Sequence, residues 1–91
     1  MIGKYLDICT SHLTMDTVNK LCENKIPYTT AYPYEEGLFL IVPSSTYEPN
    51  NIKRPNDLNI LLNYAKQHDC SIVRLDRDAD EINELTTYEW P

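Results

Sequence analysis

The spacing of apolar residues predicts two helices, and the stronger pattern lies in the second half of the chain. Four apolar residues recur there at helical intervals: Leu58, Leu61, Leu62 and Ala65. This i, i+3, i+4, i+7 spacing is typical of one buried helix face. Pro55 suits the first helical position, because a proline has no backbone N–H to leave unbonded there. We expect the helix to end around residues 67–69.

The other helix is predicted to begin after Thr14, whose hydroxyl can accept a hydrogen bond from a backbone N–H of the first turn. Leu13 and Val18 occupy the two positions of a hydrophobic staple, and Asp16 suits the positive end of the helix dipole. The expected apolar stripe is Met15, Val18, Leu21 and Cys22. The helix should end before Pro27, because the residue before a proline favours extended geometry.

Alternating and continuous apolar patterns predict four strands. They are residues 4–10, the two arms of a hairpin within residues 27–43, and residues 71–75. Glu35, Glu36 and Gly37 are predicted to form the hairpin turn. Residues 38–42 are apolar on both faces, which is typical of a central strand. The polar residues 44–53 are predicted to form a loop.

The order strand, helix, strand, strand, helix, strand predicts an α+β fold in one small two-layer domain spanning residues 1–91. Both helices should cover one face of the sheet, and a ferredoxin-like split βαβ arrangement fits this order. Right-handed crossovers would then place the first strand and residues 38–42 in the middle. A chain of 91 residues has room for one hydrophobic core.

Negative charge is concentrated at the C-terminal end. Residues 76–91 carry six acids and one arginine, a net charge of −5, whereas the whole chain carries −6. The acids are Asp76, Asp78, Asp80, Glu81, Glu84 and Glu89. Direct nucleic-acid binding needs clustered lysine and arginine, so we expect none here. An acidic end that also carries the only tryptophan favours contact with another protein.

The cysteines and the lengths of the apolar runs predict a cytoplasmic protein. The three cysteines are far apart and form no Cys-x-x-Cys pair, which predicts reduced, buried thiols. The N-terminal residues lack the pattern of a secretory signal. The longest apolar run, residues 38–43, is too short to cross a bilayer. No membrane partner is expected.

The spacing Asp76-x-Asp78-x-Asp80 suggests two kinds of chemistry, and neither fits well. A calcium-binding EF-hand needs glycine and glutamate where this chain has Glu81 and Thr87. A small metal-dependent hydrolase could use Asp76 as nucleophile and Asp78 as acid. Such an enzyme needs a downstream lysine and further acids, and only thirteen residues follow Asp78. A solvated turn whose acids bond free amides explains the spacing more simply.

The histidines predict no catalytic or metal site. Ser11 and His12 follow the first strand together with Asp7 and Cys9, but no third group is available to orient the histidine. We therefore interpret them as residues of a strand-to-helix turn. His68 has no companion at metal-ligand spacing. No catalytic residue, metal or cofactor is predicted.

Two segments combine aromatic and acidic residues in the way that protein interfaces do. They are Tyr32, Tyr34, Glu35 and Glu36 near the hairpin turn, and Tyr88, Glu89 and Trp90 at the end. Tyrosine and tryptophan are enriched at interface hot spots because they bury a large area with few torsions to freeze. We predict that both segments join Asp76, Asp78, Asp80 and Glu81 in one partner-binding surface. The alternative is that the rings pack on the open face of the sheet.

Several segments carry a family resemblance. They are residues 6–14 (LDICTSHLT), residues 32–37 (YPYEEG), Pro55 with Asp57 and Leu58, and the ending from Asp76-Arg77-Asp78-Ala79 through Leu85 to Glu89-Trp90. Together they resemble a small bacterial family of unknown function that is carried on plasmids and integrative elements. The ending is the most specific match, whereas residues 44–53 match poorly. The resemblance implies an accessory protein of a mobile genetic element that interferes with host defence.

The leading hypothesis is therefore a non-enzymatic protein-binding module, a counter-defence inhibitor of the anti-CRISPR or antirestriction kind. Its partner would be a host or defence-system protein, bound through the acidic and aromatic surface. The alternatives are the small metal-dependent hydrolase that uses Asp76 and Asp78, and a homodimer that pairs sheet edges or faces.

Overall fold

The described part of the chain forms strands and helices in the order that the sequence predicts. The computed structural model describes residues 4–27, 29–43 and 53–90. The elements are β1 (Lys4–Ile8), a short 3-10 helix (Thr10–His12), α1 (Met15–Cys22), β2 (Thr30–Tyr34), β3 (Gly37–Ile41), α2 (Asn56–Gln67) and β4 (Cys70–Asp76). Tyr28 and most of the predicted loop, residues 44–52, lie outside the described residues.

The four strands form one mixed sheet in the order β1-β4-β3-β2. β1 pairs with β4 in parallel, and the other neighbours pair antiparallel. The prediction that residues 38–42 supply a central strand is confirmed, whereas the prediction of a central β1 is wrong. β1 lies at the edge because only Ile8 of its five residues is fully buried. The fold is thus α+β, but a ferredoxin-like arrangement is not confirmed.

The core lies between the helices and one face of the sheet. The strand residues Ile8, Leu38, Leu40, Val73 and Leu75 on this face are all 0% exposed. Burying such residues is the main favourable term in folding. The other face carries exposed aromatic rings: Tyr5 (64% exposed), Tyr32 (59%) and Phe39 (40%). Both helices therefore cover the same face, as the sequence predicts.

The helix predictions hold for α2 and in part for α1. Leu58, Leu61, Leu62 and Ala65 are all buried. In α1 the Thr14 cap is confirmed, because the Thr17 N–H donates to its hydroxyl at 3.2 Å. Met15 and Cys22, however, are exposed. α1 ends at Cys22, well before Pro27, because Asn24 adopts a φ of 56° that a helix cannot continue through.

Asp57 ties the two helices together, a role that the sequence did not reveal. Its carboxylate is buried at the start of α2. It accepts hydrogen bonds from the Thr14 N–H at 2.9 Å and from the Thr17 hydroxyl at 2.9 Å. One side chain therefore satisfies donors at the N-terminus of a different helix, where backbone N–H groups have no partner within the helix.

The hairpin turn contains only Glu35 and Glu36, because Gly37 pairs with Tyr34 as the first residue of β3. The prediction that Gly37 belongs to the turn is therefore wrong. A Cβ at this position would overlap the carbonyl oxygen of Leu75 in β4. Glycine is needed because the two central strands approach each other closely here.

The cysteines are free thiols, as predicted, but they are not buried. Cys22 is exposed, and Cys9 and Cys70 are half-buried. Cys22 faces solvent because α1 ends there.

Within residues 4–27, 29–43 and 53–90, neither helix is long and apolar enough to cross a membrane.

Candidate partner-binding site

The acidic C-terminal segment packs onto the domain as an ordered strap, defined here as residues 77–90. Leu85 is 8% exposed and belongs to the core, and Ile82 packs against that core. The strap begins with a turn in which the Ala79 N–H donates to the Asp76 carbonyl at 3.1 Å. The acidic residues are therefore held in place by apolar anchors between them.

Hydrogen bonds attach the strap to the connection between β1 and α1. The Cys9 N–H donates to the Asp80 carbonyl at 3.1 Å, and the Tyr88 N–H donates to the Ser11 carbonyl at 2.8 Å. The Ser11 hydroxyl donates to the Glu81 carboxylate at 2.5 Å. Bonds at both ends of the strap fix its path, which a single contact could not do.

The His12 side chain holds the middle of the strap through two hydrogen bonds. The imidazole is 3% exposed. Its Nε2 accepts a hydrogen bond from the Ile82 N–H at 2.9 Å, and its Nδ1 lies 3.0 Å from the Thr86 carbonyl oxygen. Because Nε2 is an acceptor, the proton of the neutral ring is on Nδ1, which donates to Thr86. Both nitrogens are engaged by backbone, which agrees with the structural interpretation of His12.

Asp76 is a buried structural acceptor at the end of β4. Its Oδ2 accepts hydrogen bonds from the Tyr34 hydroxyl at 2.7 Å and from Arg74 Nη2 at 3.0 Å, and its Oδ1 accepts from the Asp78 N–H at 2.8 Å. The bonds from the Asp78 amide and the Tyr34 hydroxyl lower the pKa of Asp76. A carboxylate with both oxygens engaged in this way is poorly placed to attack a substrate.

Arg74 links the strands across the open face of the sheet. Its Nε donates to the Tyr34 hydroxyl at 3.1 Å, and its Nη1 donates to Asp7 at 3.1 Å. The guanidinium carbon also lies 5.8 Å from the centre of the Tyr34 ring. Burial and the hydrogen bond to Asp76 raise the pKa of Tyr34, whose hydroxyl is thus held as a donor. These bonds fix the Tyr34 side chain from two sides.

A groove forms where the hairpin turn meets the strap. The Arg77 N–H donates to the Glu36 carbonyl at 2.9 Å, which ties the two segments together. On the strap side, the Trp90 indole N–H donates to the Leu13 carbonyl at 3.0 Å. The groove is an open cavity of about 250 Å³ lined by Thr10, Val18, Tyr34, Glu35, Glu36, Gly37, Arg77 and Trp90. We call it the acidic–aromatic groove.

The structure brings together four of the eleven residues predicted for partner binding. Tyr34, Glu35, Glu36 and Trp90 line the groove, although they come from opposite ends of the chain. Sequence reasoning missed four lining residues, because no local pattern marks them: Thr10, Val18, Gly37 and Arg77.

The other predicted residues lie elsewhere. Tyr32 is exposed on the open face of the sheet, opposite Phe39, and does not line the groove. Asp78 lies by a second cavity, of about 220 Å³, together with Asp76. Three remaining acids are exposed on the strap: Asp80, Glu81 and Glu89. Tyr88 is half-buried. Across residues 4–27, 29–43 and 53–90, no group of three or more His, Cys, Asp or Glu side chains could hold a metal ion.

Comparison with known proteins places the chain in a family without assigning a function. Neither the curated proteins nor the solved structures contain a match. A family model does match, over residues 5–90, and so includes both walls of the groove. Nothing in this match concerns plasmids or integrative elements, so that context stays a prediction. Because the match covers nearly the whole chain, the protein belongs to DUF5983, a family of unknown function, through the C-terminal domain of that family.

Proposed function

We propose that this domain is a non-enzymatic protein-binding module that contacts its partner through the acidic–aromatic groove. The observation that carries the proposal is the position of Trp90. Its only polar atom is already bonded to Leu13, yet 39% of the residue remains exposed. What the indole offers to solvent is therefore its apolar ring surface, and exposed tryptophan of this kind is typical of interface hot spots.

The groove is pre-organised, which favours tight binding. The side chains of Trp90 and Tyr34 are fixed by hydrogen bonds to Leu13 and Asp76, and the backbone of Glu36 is fixed through Arg77. Ordering a side chain at an interface costs about 0.5–1.5 kcal/mol for each flexible residue. Side chains that are already held in place avoid part of this cost.

The charge of the strap indicates the kind of partner. Its acids and the two glutamates of the turn make a negative field around the groove, which attracts and orients a basic protein surface. Proteins that handle nucleic acid present such surfaces. A counter-defence inhibitor that binds a host or defence-system protein fits this chemistry, and that role stays a prediction implied by the resemblance.

Capture from a bacterial lysate tests the proposal. The groove variant Glu35→Gln/Glu36→Gln/Trp90→Ala is compared with the wild type and with a matched control, Glu23→Gln/Asp69→Asn. The control removes the same amount of charge from exposed residues that lie outside both the strap and the groove. We expect the wild type and the control to capture the same protein and the groove variant to lose it. Equal capture by all three would contradict the proposal.

The two alternatives gain no support from the geometry. The hydrolase needs Asp76 as a nucleophile, and its oxygens already accept from Tyr34, Arg74 and Asp78. Self-association through the open face of the sheet stays a prediction, and light scattering at several concentrations would check it.

A further inference from the structure

The acidic–aromatic groove matches the size and chemistry of a single arginine side chain, and we propose that it receives an arginine of the partner protein. This inference rests on the proposed function and specifies the group that the groove recognises. Pockets for small-molecule ligands usually measure about 300–1,000 Å³. The groove, at about 250 Å³, is smaller and open to solvent, which suits one inserted side chain.

Both parts of a guanidinium find a counterpart in the groove. Its flat face stacks on aromatic rings, and its edge donates paired hydrogen bonds to carboxylates. Trp90 lines the groove with a partly exposed ring, and the acidic residues Glu35 and Glu36 line it as well. Lysine carries a compact charge without a flat face, so it would use the carboxylates alone.

The open face of the sheet already shows the same recognition within the domain. The Arg74 guanidinium lies 5.8 Å from the centre of the Tyr34 ring and donates to Asp76 and Asp7. Because the Arg74 guanidinium already lies over the Tyr34 ring, the Trp90 ring is the one available to an incoming guanidinium.

The charge of Arg77 distinguishes an arginine ligand from an acidic one. Arg77 lines the same groove as the two glutamates, so the lining residues together keep a net negative charge. An incoming arginine would be repelled by Arg77, whereas an acidic ligand would be attracted to it. Removing the charge with Arg77→Gln should therefore strengthen binding of an arginine peptide and weaken binding of an acidic one.

Trp90 provides the readout, because it is the only tryptophan of the chain. Its fluorescence is followed while capped peptides are added. The peptides have the same length and spacing and contain three arginines, three lysines or three glutamates separated by glycine and serine. We expect saturable change with the arginine peptide, at least threefold weaker binding of the lysine peptide, and no binding of the glutamate peptide.

The variants separate recognition from general charge attraction. Glu35→Gln/Glu36→Gln should weaken binding of the arginine peptide by about tenfold or more, which corresponds to the loss of one charge-assisted hydrogen bond. The control Glu23→Gln/Asp69→Asn should change binding less than threefold. Arg77→Gln should tighten it. Unchanged thermal unfolding of each variant shows that the fold is retained.

Three results would overturn the inference: no saturable change with the arginine peptide, equal binding of the lysine peptide, or weaker binding by Arg77→Gln. The two proposals also fail separately. If the groove variant loses a captured protein but the arginine peptide does not bind, only the arginine inference is wrong. If the peptide binds but no protein is lost from the groove variant, the protein-binding function is wrong.

Discussion

Replacing His12 with alanine should release the strap and destabilise the domain. The substitution removes two hydrogen bonds to backbone groups, from the Ile82 N–H at 2.9 Å and to the Thr86 carbonyl at 3.0 Å. Each such bond contributes about 1 kcal/mol, and a buried donor or acceptor left without a partner costs about 1–3 kcal/mol more. We therefore expect the free energy of unfolding to fall by roughly 2–4 kcal/mol.

The loss is large compared with the roughly 5–15 kcal/mol that stabilises a typical domain. Urea unfolding followed by Trp90 fluorescence reports the strap, and far-UV circular dichroism reports the helices. With a slope of about 1–3 kcal/mol per molar urea, the midpoint should move down by roughly 0.7–4 M. If the strap is an integral part of the core, both signals should change together in the wild type.

His68→Ala is the matched control for this experiment. His68 is the other histidine of the chain, and it is exposed at the end of α2, where its ring contacts Tyr64. An exposed substitution of this kind should change stability by no more than about 0.5 kcal/mol. A His12→Ala variant that matches the His68→Ala variant in both midpoints would refute the role assigned to His12.

Three further predictions concern residues that do not belong to the strap. Gly37→Ala should destabilise the domain by about 2 kcal/mol or more, because its Cβ would overlap the Leu75 carbonyl. Thermal unfolding measures this effect, and an unchanged midpoint would mean that the two strands can move apart at no cost. Asp57→Ala should cost roughly 2–3 kcal/mol in urea unfolding, because it leaves the capping donors of α1 without their acceptor. Asp76→Asn should abolish a pH dependence of stability. The pKa of Asp76 is lowered in the folded state, so the unfolded state binds more protons and stability falls as the pH drops below about 4. An unchanged pH profile of unfolding in Asp76→Asn would contradict this assignment.

The sequence predicts the helices well because their signals are local. The stripe of α2 and the Thr14 cap depend on residues within a few positions of each other, and both are present. The strand order depends on pairing between distant segments. Right-handed crossovers suggested a central first strand, but β4 occupies that place with Val73 and Leu75 fully buried. Alternation alone does not rank strands by burial.

The sequence predicts that acidic and aromatic residues of the hairpin turn and of the C-terminus share one surface, but not which of them line the groove. The acids and aromatic rings at the hairpin turn and at the C-terminus could be read from the sequence. Their meeting in one groove depends on the course of the strap, which His12 and Leu85 fix through contacts some seventy residues apart along the chain. A buried histidine that bonds only to backbone leaves no spacing signature. Gly37 was likewise visible as a glycine, but not as the point where two strands approach closely.

The most direct test of the account is a titration of the captured partner, once purified, into ¹⁵N-labelled protein followed by NMR. If the partner binds in the groove, the signals of the Trp90 indole N–H and of the amides of residues 34–37 should shift on binding. The Glu35→Gln/Glu36→Gln variant should lose those shifts, while its spectrum without partner remains that of a folded protein. Shifts confined to the open face of the sheet, around Tyr32 and Phe39, with the groove signals unchanged, would contradict it.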